Sequence, residues 1–198
     1  GNAAGEVASR VALNTVLKSA LPSLQQRFEV AHAEIRNIGK AQPQARGLGC
    51  TLTVALLQNS TLFWCHLGDS RLYLYRSSVL KRLTSDHTVA GAMLHYGLMT
   101  EEGFEKGEAH QGLLQYAGMD IERNKLLPVD CGKTTLLPGD VMLLTSDGVH
   151  GALTSAKLSA TVHATRDKGP RSIARALVQA ALAAGGQDNA TCVCVVVP

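Results

Sequence analysis

The spacing of apolar residues switches at Gly49 from a helical to a strand-like period. Before this point, apolar residues recur at intervals of four and three, as on one face of a helix. They are Leu24, Phe28, Ala31, Ile35 and Ile38. After it, Leu52, Val54 and Leu56 occupy every second position, as on one face of a strand. Helical patterns return near the end of the chain and precede a last strand. This order predicts an α+β fold in which helices pack on antiparallel sheets in a single domain spanning residues 1–198.

Turn residues divide these patterns into individual elements. Pro22 interrupts the first helical segment, so we expect two helices there, the first capped by Asn2 and the second ended by Gly39 and Pro43. The strand-like runs that follow predict a continuous meander, and the last strand is expected to be buried. Residues 88–125 carry short helical patterns and several glycines, which predicts an excursion from the sheet. The expected strands lie at 52–56, 62–66, 72–75, 79–83, 129–137, 141–145 and 191–197.

Composition excludes several classes of protein. The net charge is +3 and aromatic residues make up 4% of the chain, without a run of Lys or Arg, so neither nucleic acid nor a membrane surface is an expected partner. We find no apolar stretch long enough for a membrane span and no signal peptide. The number of cysteines is five, which is odd, and this favours buried reduced thiols in a cytoplasmic protein over a disulfide framework.

Three aspartates share one local context. Asp69, Asp147 and Asp188 each lie at the end of an apolar strand, beside a small or polar residue. Carboxylates that converge without cations repel each other, so such a cluster typically holds a metal. Oxygen ligands select Mg²⁺ or Mn²⁺, and such ions suit the hydrolysis of phosphoesters. The alternative is that each aspartate only stabilises a turn, because aspartate is common in turns.

Six segments, in order along the chain, resemble those of the bacterial PP2C-type metal-dependent serine/threonine protein phosphatases. They are GNAAGEVAS (1–9), GCTL (49–52), LGDSRLYL (67–74), LTSDHT (83–88), LLTSDGV (143–149) and QDNAT (187–191). The resemblance implies an α-β-β-α sandwich of two antiparallel sheets flanked by helices, with two or three Mn²⁺ or Mg²⁺ ions. A water held by the metals would attack phosphoserine or phosphothreonine. Asp147 and Asp188 match ligands of the binuclear centre, Asp69 matches a ligand of a third ion, and residues 88–125 match the flap beside the active site.

Two departures from the family pattern bear on activity. The strands that carry the phosphate-binding arginine and the metal-bridging Asp-Gly pair would precede Gly1, so we expect an N-terminally incomplete phosphatase domain, with no catalytic residue identified in this chain. Gly151 stands where many relatives have an aspartate, which puts the third ion in question. The resemblance also implies a monomeric enzyme that opposes a protein kinase. The alternative is a non-catalytic pseudophosphatase that recognises a phosphoprotein through the flap.

Other polar residues have structural explanations as well as functional ones. Arg71 could contact phosphate, but a structural ion pair is favoured. Asp86 and His87 could form a metal or acid/base pair, although a structural turn is favoured. His66 is expected to be packed in the sheet. His150 lies near Asp147 in sequence, and its imidazole suits a hard cation poorly.

Overall fold

A computed structural model describes residues 5–42, 45, 47–107, 109, 112–120 and 129–198. Asn2 and Pro43 lie outside these residues, so the expected cap at Asn2 is not tested. The second helix continues past Gly39 to Ala41, so the expected end at Gly39 is wrong. The helices are α1 (Gly5–Lys18), α2 (Leu24–Ala41), α3 (Val89–His95), α4 (Glu101–Glu105), α5 (Asp147–His150), α6 (Ser155–Thr165) and α7 (Pro170–Ala183). The strands are β1 (Leu52–Gln58), β2 (Thr61–Leu67), β3 (Arg71–Arg76), β4 (Val79–Arg82), β5 (Asp130–Thr135), β6 (Val141–Thr145) and β7 (Cys192–Val196).

The described strands form two antiparallel sheets, ordered β1-β2-β5 and β4-β3-β6-β7. The expectation of one meander is therefore wrong, because the hairpin β1-β2 and the hairpin β3-β4 belong to different sheets. The chain crosses between the sheets at Gly68, where φ is +119°. Glycine reaches this conformation without the steric cost that a Cβ atom imposes. The crossing also places Asp69 between the end of β2 in the first sheet and the start of β3 in the second.

The two sheets stack between two pairs of helices, which confirms the α-β-β-α sandwich. Helix α2 is capped by Ser23 and buries Leu24, Phe28, Ala31 and Ile35, four of the five residues of its predicted face. This face and α1 cover the first sheet, whereas α6 and α7 cover the second. Leu62, Trp64, Leu72, Leu74 and Met142 pack together between the sheets. None of the helices in the described ranges is long and apolar enough to cross a membrane.

The cysteines depart from the sequence-based expectation of five thiols. Cys65 and Cys131 form a disulfide, because the antiparallel register of β2 and β5 sets them directly opposite each other, with their Cα atoms 4.1 Å apart. Cys50, Cys192 and Cys194 are free. Burial raises the pKa of the Cys50 thiol to about 11 and that of Cys192 to about 12.

The last strand is not buried as predicted. Strand β7 pairs with β6 alone among the described strands, and alternate residues of it are exposed, including Val193 and Val195. Strand β1 likewise pairs with β2 alone in the described part of the chain. Between these two strands and α1 lies an apolar groove of about 640 Å³, which Leu13 and Leu17 border from the helix side. The groove therefore exposes apolar surface next to two strand edges.

Candidate metal centre

The antiparallel order of β3, β6 and β7 brings the three aspartates to the same end of these strands in the second sheet. Asp69 comes two residues before β3, Asp147 follows the end of β6, and Asp188 lies in the loop before β7. Thr145 at the end of β6 pairs with the first residues of both β3 and β7. In neighbouring antiparallel strands, one strand begins beside the point where the other ends. Residues far apart in sequence therefore meet at the same end of the strands.

Asp147 occupies the central position among the three. It lines a cavity of about 340 Å³ together with Asp69, and an adjoining cavity of about 450 Å³ together with Asp188. Gly151 borders both cavities without offering a side-chain ligand. In the described ranges, no three His, Cys, Asp or Glu side chains lie close enough together to hold one ion. The structure therefore places Asp147 beside each of the other two aspartates, but does not gather all three into one ligand set.

The raised pKa of Asp69 fits a cation bound at this end of the strands. Burial, and then the charges of Asp147 and Asp86, raise the pKa of the Asp69 carboxyl to about 6. Crowded carboxylates of this kind are stabilised by a bound cation, and oxygen donors of this type suit Mg²⁺ or Mn²⁺. The donor set thus fits the ions that the sequence predicted.

The loops carrying Asp147 and Asp188 are joined by Ser146. Its Oγ donates to the carbonyl of Asn189 at 3.1 Å and accepts from the N–H of Thr191 at 2.9 Å. A Cβ atom on Gly148 would lie only 2.5 Å from the carbonyl oxygen of Asn189. Glycine at 148 thus allows the two loops to approach closely, and this approach sets the spacing between the carboxylates of Asp147 and Asp188.

We predict that Gly148→Ala lowers the free energy of unfolding by about 1–3 kcal/mol, because the methyl group collides with rigid backbone. The same substitution should weaken Mn²⁺ binding, since it separates the two aspartate loops. Urea unfolding and calorimetric Mn²⁺ titration would measure these effects. Gly5→Ala is the matched control, because its added Cβ atom has only an ordinary contact at 3.7 Å. An equal loss in both variants would contradict this account.

Two buried histidines hold the turn that carries Asp69. The Thr53 hydroxyl lies 2.8 Å from His66 Nδ1, and His66 Nε2 donates to the carbonyl of Gly68 at 3.0 Å. The N–H of Gly68 donates to His87 Nδ1 at 3.1 Å. Burial, followed by the neighbouring His87, lowers the pKa of His66 to about 3, so its ring is neutral. Both histidines are packed and structural, as the sequence analysis favoured.

Arg71 forms the structural ion pair that was favoured for it. Its Nε and Nη2 donate to the carboxylate of Asp86 at 2.9 and 2.7 Å, and both side chains are buried. A bidentate guanidinium–carboxylate pair is strong and directional. Arg71 nevertheless borders the cavity of Asp69 and Asp147, so the pair forms part of its wall.

His150 also belongs to this wall. Its Nδ1 lies 2.9 Å from the Thr145 hydroxyl, and it lines the same cavity as Asp69. Burial, and then the charge of Arg71, lower the pKa of His150 to about 3. A neutral His150 is thus held against the end of β6 by Thr145, a contact that its sequence context did not reveal.

Phe104 and Glu105 are two residues of this wall that sequence reasoning did not single out. They belong to α4, where the ring of Phe104 packs against the guanidinium groups of Arg71 and Arg82, 5.2 and 4.7 Å from its centroid. Glu105 accepts hydrogen bonds from the N–H and Oγ of Ser155 at the start of α6. No local motif marks either residue, because each acquires its role from contacts with distant strands and helices.

The expected excursion is anchored in the part that the structure describes. Its first helices are α3 and α4. Residues after them form isolated bridges, Leu113 with Thr88 at the start of α3 and Ala117 with Cys50 just before β1. Residues 121–125, the end of the expected flap, lie outside the described residues. The described part therefore forms one side of the cavity that Asp69 and Asp147 line.

Comparisons with known proteins agree with this architecture. The protein phosphatase 2C family matches residues 3–92. Protein phosphatase PhpP of Streptococcus pneumoniae serotype 2 is 31% identical over 164 residues, which cover 83% of this chain and 64% of that protein. Serine/threonine phosphatase stp of Listeria innocua is 27% identical over 203 residues, covering 96% of this chain and 78% of that protein. The chain thus spans less than two thirds of the pneumococcal relative.

Solved structures share the whole described fold. The Mycobacterium tuberculosis serine/threonine phosphatase PstP/Ppp superposes with a TM-score of 0.83 at 25% identity, covering 100% of this chain and 84% of that one. The catalytic domain of PstP in complex with two manganese ions superposes with a TM-score of 0.79 at 26% identity, with the same shares covered. From its family match over residues 3–92, its bacterial relatives and its shared sandwich, the chain is similar to proteins of the protein phosphatase 2C family.

Proposed function

We propose that this chain contributes the metal-binding core of a phosphatase that hydrolyses phosphoserine and phosphothreonine in a protein substrate. The observation that carries the proposal is the position of Asp147, which shares one cavity with Asp69 and another with Asp188. Asp147 and Asp188 would hold Mn²⁺ or Mg²⁺, and Asp69 would contribute to a third ion. When bound, such ions supply an activated water and neutralise phosphoryl charge.

The residues around the aspartates orient them for this chemistry. Ser146 and Gly148 hold the loops of Asp147 and Asp188 together, while His66 and His87 hold the turn before Asp69 through Gly68. The names of the bacterial relatives support a phosphoprotein as the substrate. The finer parts of the proposal are a monomeric cytoplasmic enzyme that opposes a protein kinase. The net charge of only +3, without a run of Lys or Arg, supports a protein that binds neither nucleic acid nor a membrane surface.

We also propose that the apolar groove between α1, β1 and β7 receives the N-terminal strands expected before Gly1. The groove presents two strand edges and apolar side chains, which an alternating apolar strand would cover. Gly5 at the start of α1 lies beside Gly49, which precedes Cys50 in the lining of the groove. Such strands would cover the apolar surface that the groove exposes.

Mn²⁺-dependent hydrolysis tests the proposal directly. The chain, and a longer form carrying the coding sequence upstream of Gly1, would be assayed with p-nitrophenyl phosphate and a phosphothreonine peptide. We expect turnover by the longer form to saturate with Mn²⁺ and to disappear with EDTA, because the ions supply the nucleophile. If both forms are folded by circular dichroism but inactive at every Mn²⁺ concentration, the proposed phosphatase activity is wrong.

A further inference from the structure

The disulfide between Cys65 and Cys131 joins a buried residue to an exposed one. Cys65 on β2 is 2% exposed and packs in the core beneath α1 and α2. Cys131 on β5 is exposed. Both line a surface cavity of about 310 Å³ beside the start of α2. A small thiol or disulfide reagent can therefore reach the pair from the Cys131 side, without opening the core.

The pair lies at the base of the excursion that borders the metal centre. The next residues in register are His66 on β2 and Asp130 on β5. Asp130 Oδ2 accepts a hydrogen bond of 2.7 Å from the N–H of Ser85. Ser85 precedes the excursion and Asp130 follows it, so this contact ties the two ends of the excursion together. Cys131 is the covalent neighbour of Asp130, and the disulfide holds that end against β2.

The hydrogen bond between Ser85 and Asp130 lies next to residues that line the cavity of Asp69 and Asp147. Ser85 adjoins Asp86, whose carboxylate is paired with Arg71, and Arg71 borders the cavity of Asp69 and Asp147. Loss of the covalent link between β2 and β5 would leave this end of β5 held by hydrogen bonds to one neighbouring strand among the described residues. Edge strands held in this way open more readily than strands in the centre of a sheet.

We propose that Cys65 and Cys131 form a reversible redox clasp that fixes the base of the excursion in the oxidised state and loosens it in the reduced state. The pair is a modification site for a low-molecular-weight disulfide such as oxidised glutathione. The inference concerns the fold at the base of the excursion and does not require phosphatase activity.

The exchange proceeds in two balanced steps. The Cys131 thiolate attacks one sulfur of oxidised glutathione, which forms a mixed disulfide and releases one glutathione thiolate. The Cys65 thiolate then attacks the Cys131 sulfur, which forms the intramolecular disulfide and releases the second glutathione. The two cysteines lose two protons and two electrons, and one oxidised glutathione becomes two reduced glutathione molecules.

Counting thiols tests the first half of the proposal. The chain would be equilibrated with oxidised or reduced glutathione, denatured, and alkylated for mass spectrometry. We expect three alkylated cysteines after oxidation, namely Cys50, Cys192 and Cys194, and five after reduction. Five alkylated cysteines under both conditions would overturn the proposal, as would a glutathione adduct retained on Cys131.

Thermal unfolding and hydrogen exchange test the clasp itself. We expect reduction to lower Tm by about 5–15 °C, because the disulfide closes a long loop. We also expect the Ser85 amide to exchange roughly tenfold faster after reduction. Cys131→Ser should show the reduced behaviour under both conditions, whereas Cys50→Ala, which leaves the pair intact, should respond like the unmodified chain. A disulfide that forms without changing exchange at Ser85 would overturn the coupling to the excursion.

Discussion

Replacing Asp147 with asparagine is expected to lower Mn²⁺-dependent hydrolysis by the longer form at least about 10³-fold while leaving the fold intact. Asparagine keeps the Oδ1 atom that accepts the Gly148 N–H at 2.9 Å, so the start of α5 should be preserved. It removes the negative charge that faces both cavities. Losing a residue that only supports a metal ligand typically costs about 10–100-fold, so the loss of the central ligand should exceed that range.

Asp167→Asn is the control for this measurement. Its side chain is 90% exposed, and it forms an ion pair with the adjacent Arg166 at 3.6 Å. Initial rates across a Mn²⁺ titration, together with circular dichroism, would compare the two variants. If the activity of Asp147→Asn is within a few-fold of the activity of Asp167→Asn, the reaction takes place away from Asp147. The proposed metal centre would then be wrong.

Arg71→Met is expected to lower the free energy of unfolding by about 3 kcal/mol or more. Removing one partner of a buried ion pair typically costs about 3–5 kcal/mol, because the other charge remains buried without its partner. Asp86 is 3% exposed, and Arg82 approaches it only to 3.8 Å. That second cation compensates in part, so we expect the lower end of the range. Urea unfolding followed by circular dichroism would measure the change.

Two comparisons separate charge from packing in this result. Arg10→Met removes an exposed pair with Glu6 and should change stability by less than about 1 kcal/mol. Adding Asp86→Asn to Arg71→Met removes the uncompensated charge and should recover a large part of the loss. If the double variant is as unstable as Arg71→Met alone, the cost arises from lost contacts with Phe104 and not from the charge of Asp86.

Local patterns were sufficient to predict most elements of this fold. The three- and four-residue spacing from Leu24 to Ile38 predicted the buried face of α2, because a helix repeats at this spacing whatever it packs against. The same reasoning located the strands from their two-residue alternation. The order of elements and the six motif segments then predicted the two-sheet sandwich that the structure confirms.

The pairing of strands was less accessible to such reasoning. Alternation identifies a strand but not its neighbour, so β1 to β4 were predicted as one meander although Gly68 sends the chain to the second sheet. For the same reason the opposition of Cys65 and Cys131 was missed, since 66 residues separate them in sequence. The exposure of Val193 and Val195 also depends on where β7 lies in its sheet.

For the candidate site as well, the sequence predicted some features and only the tertiary structure decided the others. Its aspartates were predicted from the sequence because each sits in a short motif at a strand end, and their chemistry follows from the side chain alone. Their order in space, with Asp147 between Asp69 and Asp188, came only from the antiparallel neighbours β3, β6 and β7. The wall formed by Phe104 and Glu105 came only from tertiary packing. Residue type and period are local properties of the chain, whereas adjacency between distant residues exists only after the sheets have assembled.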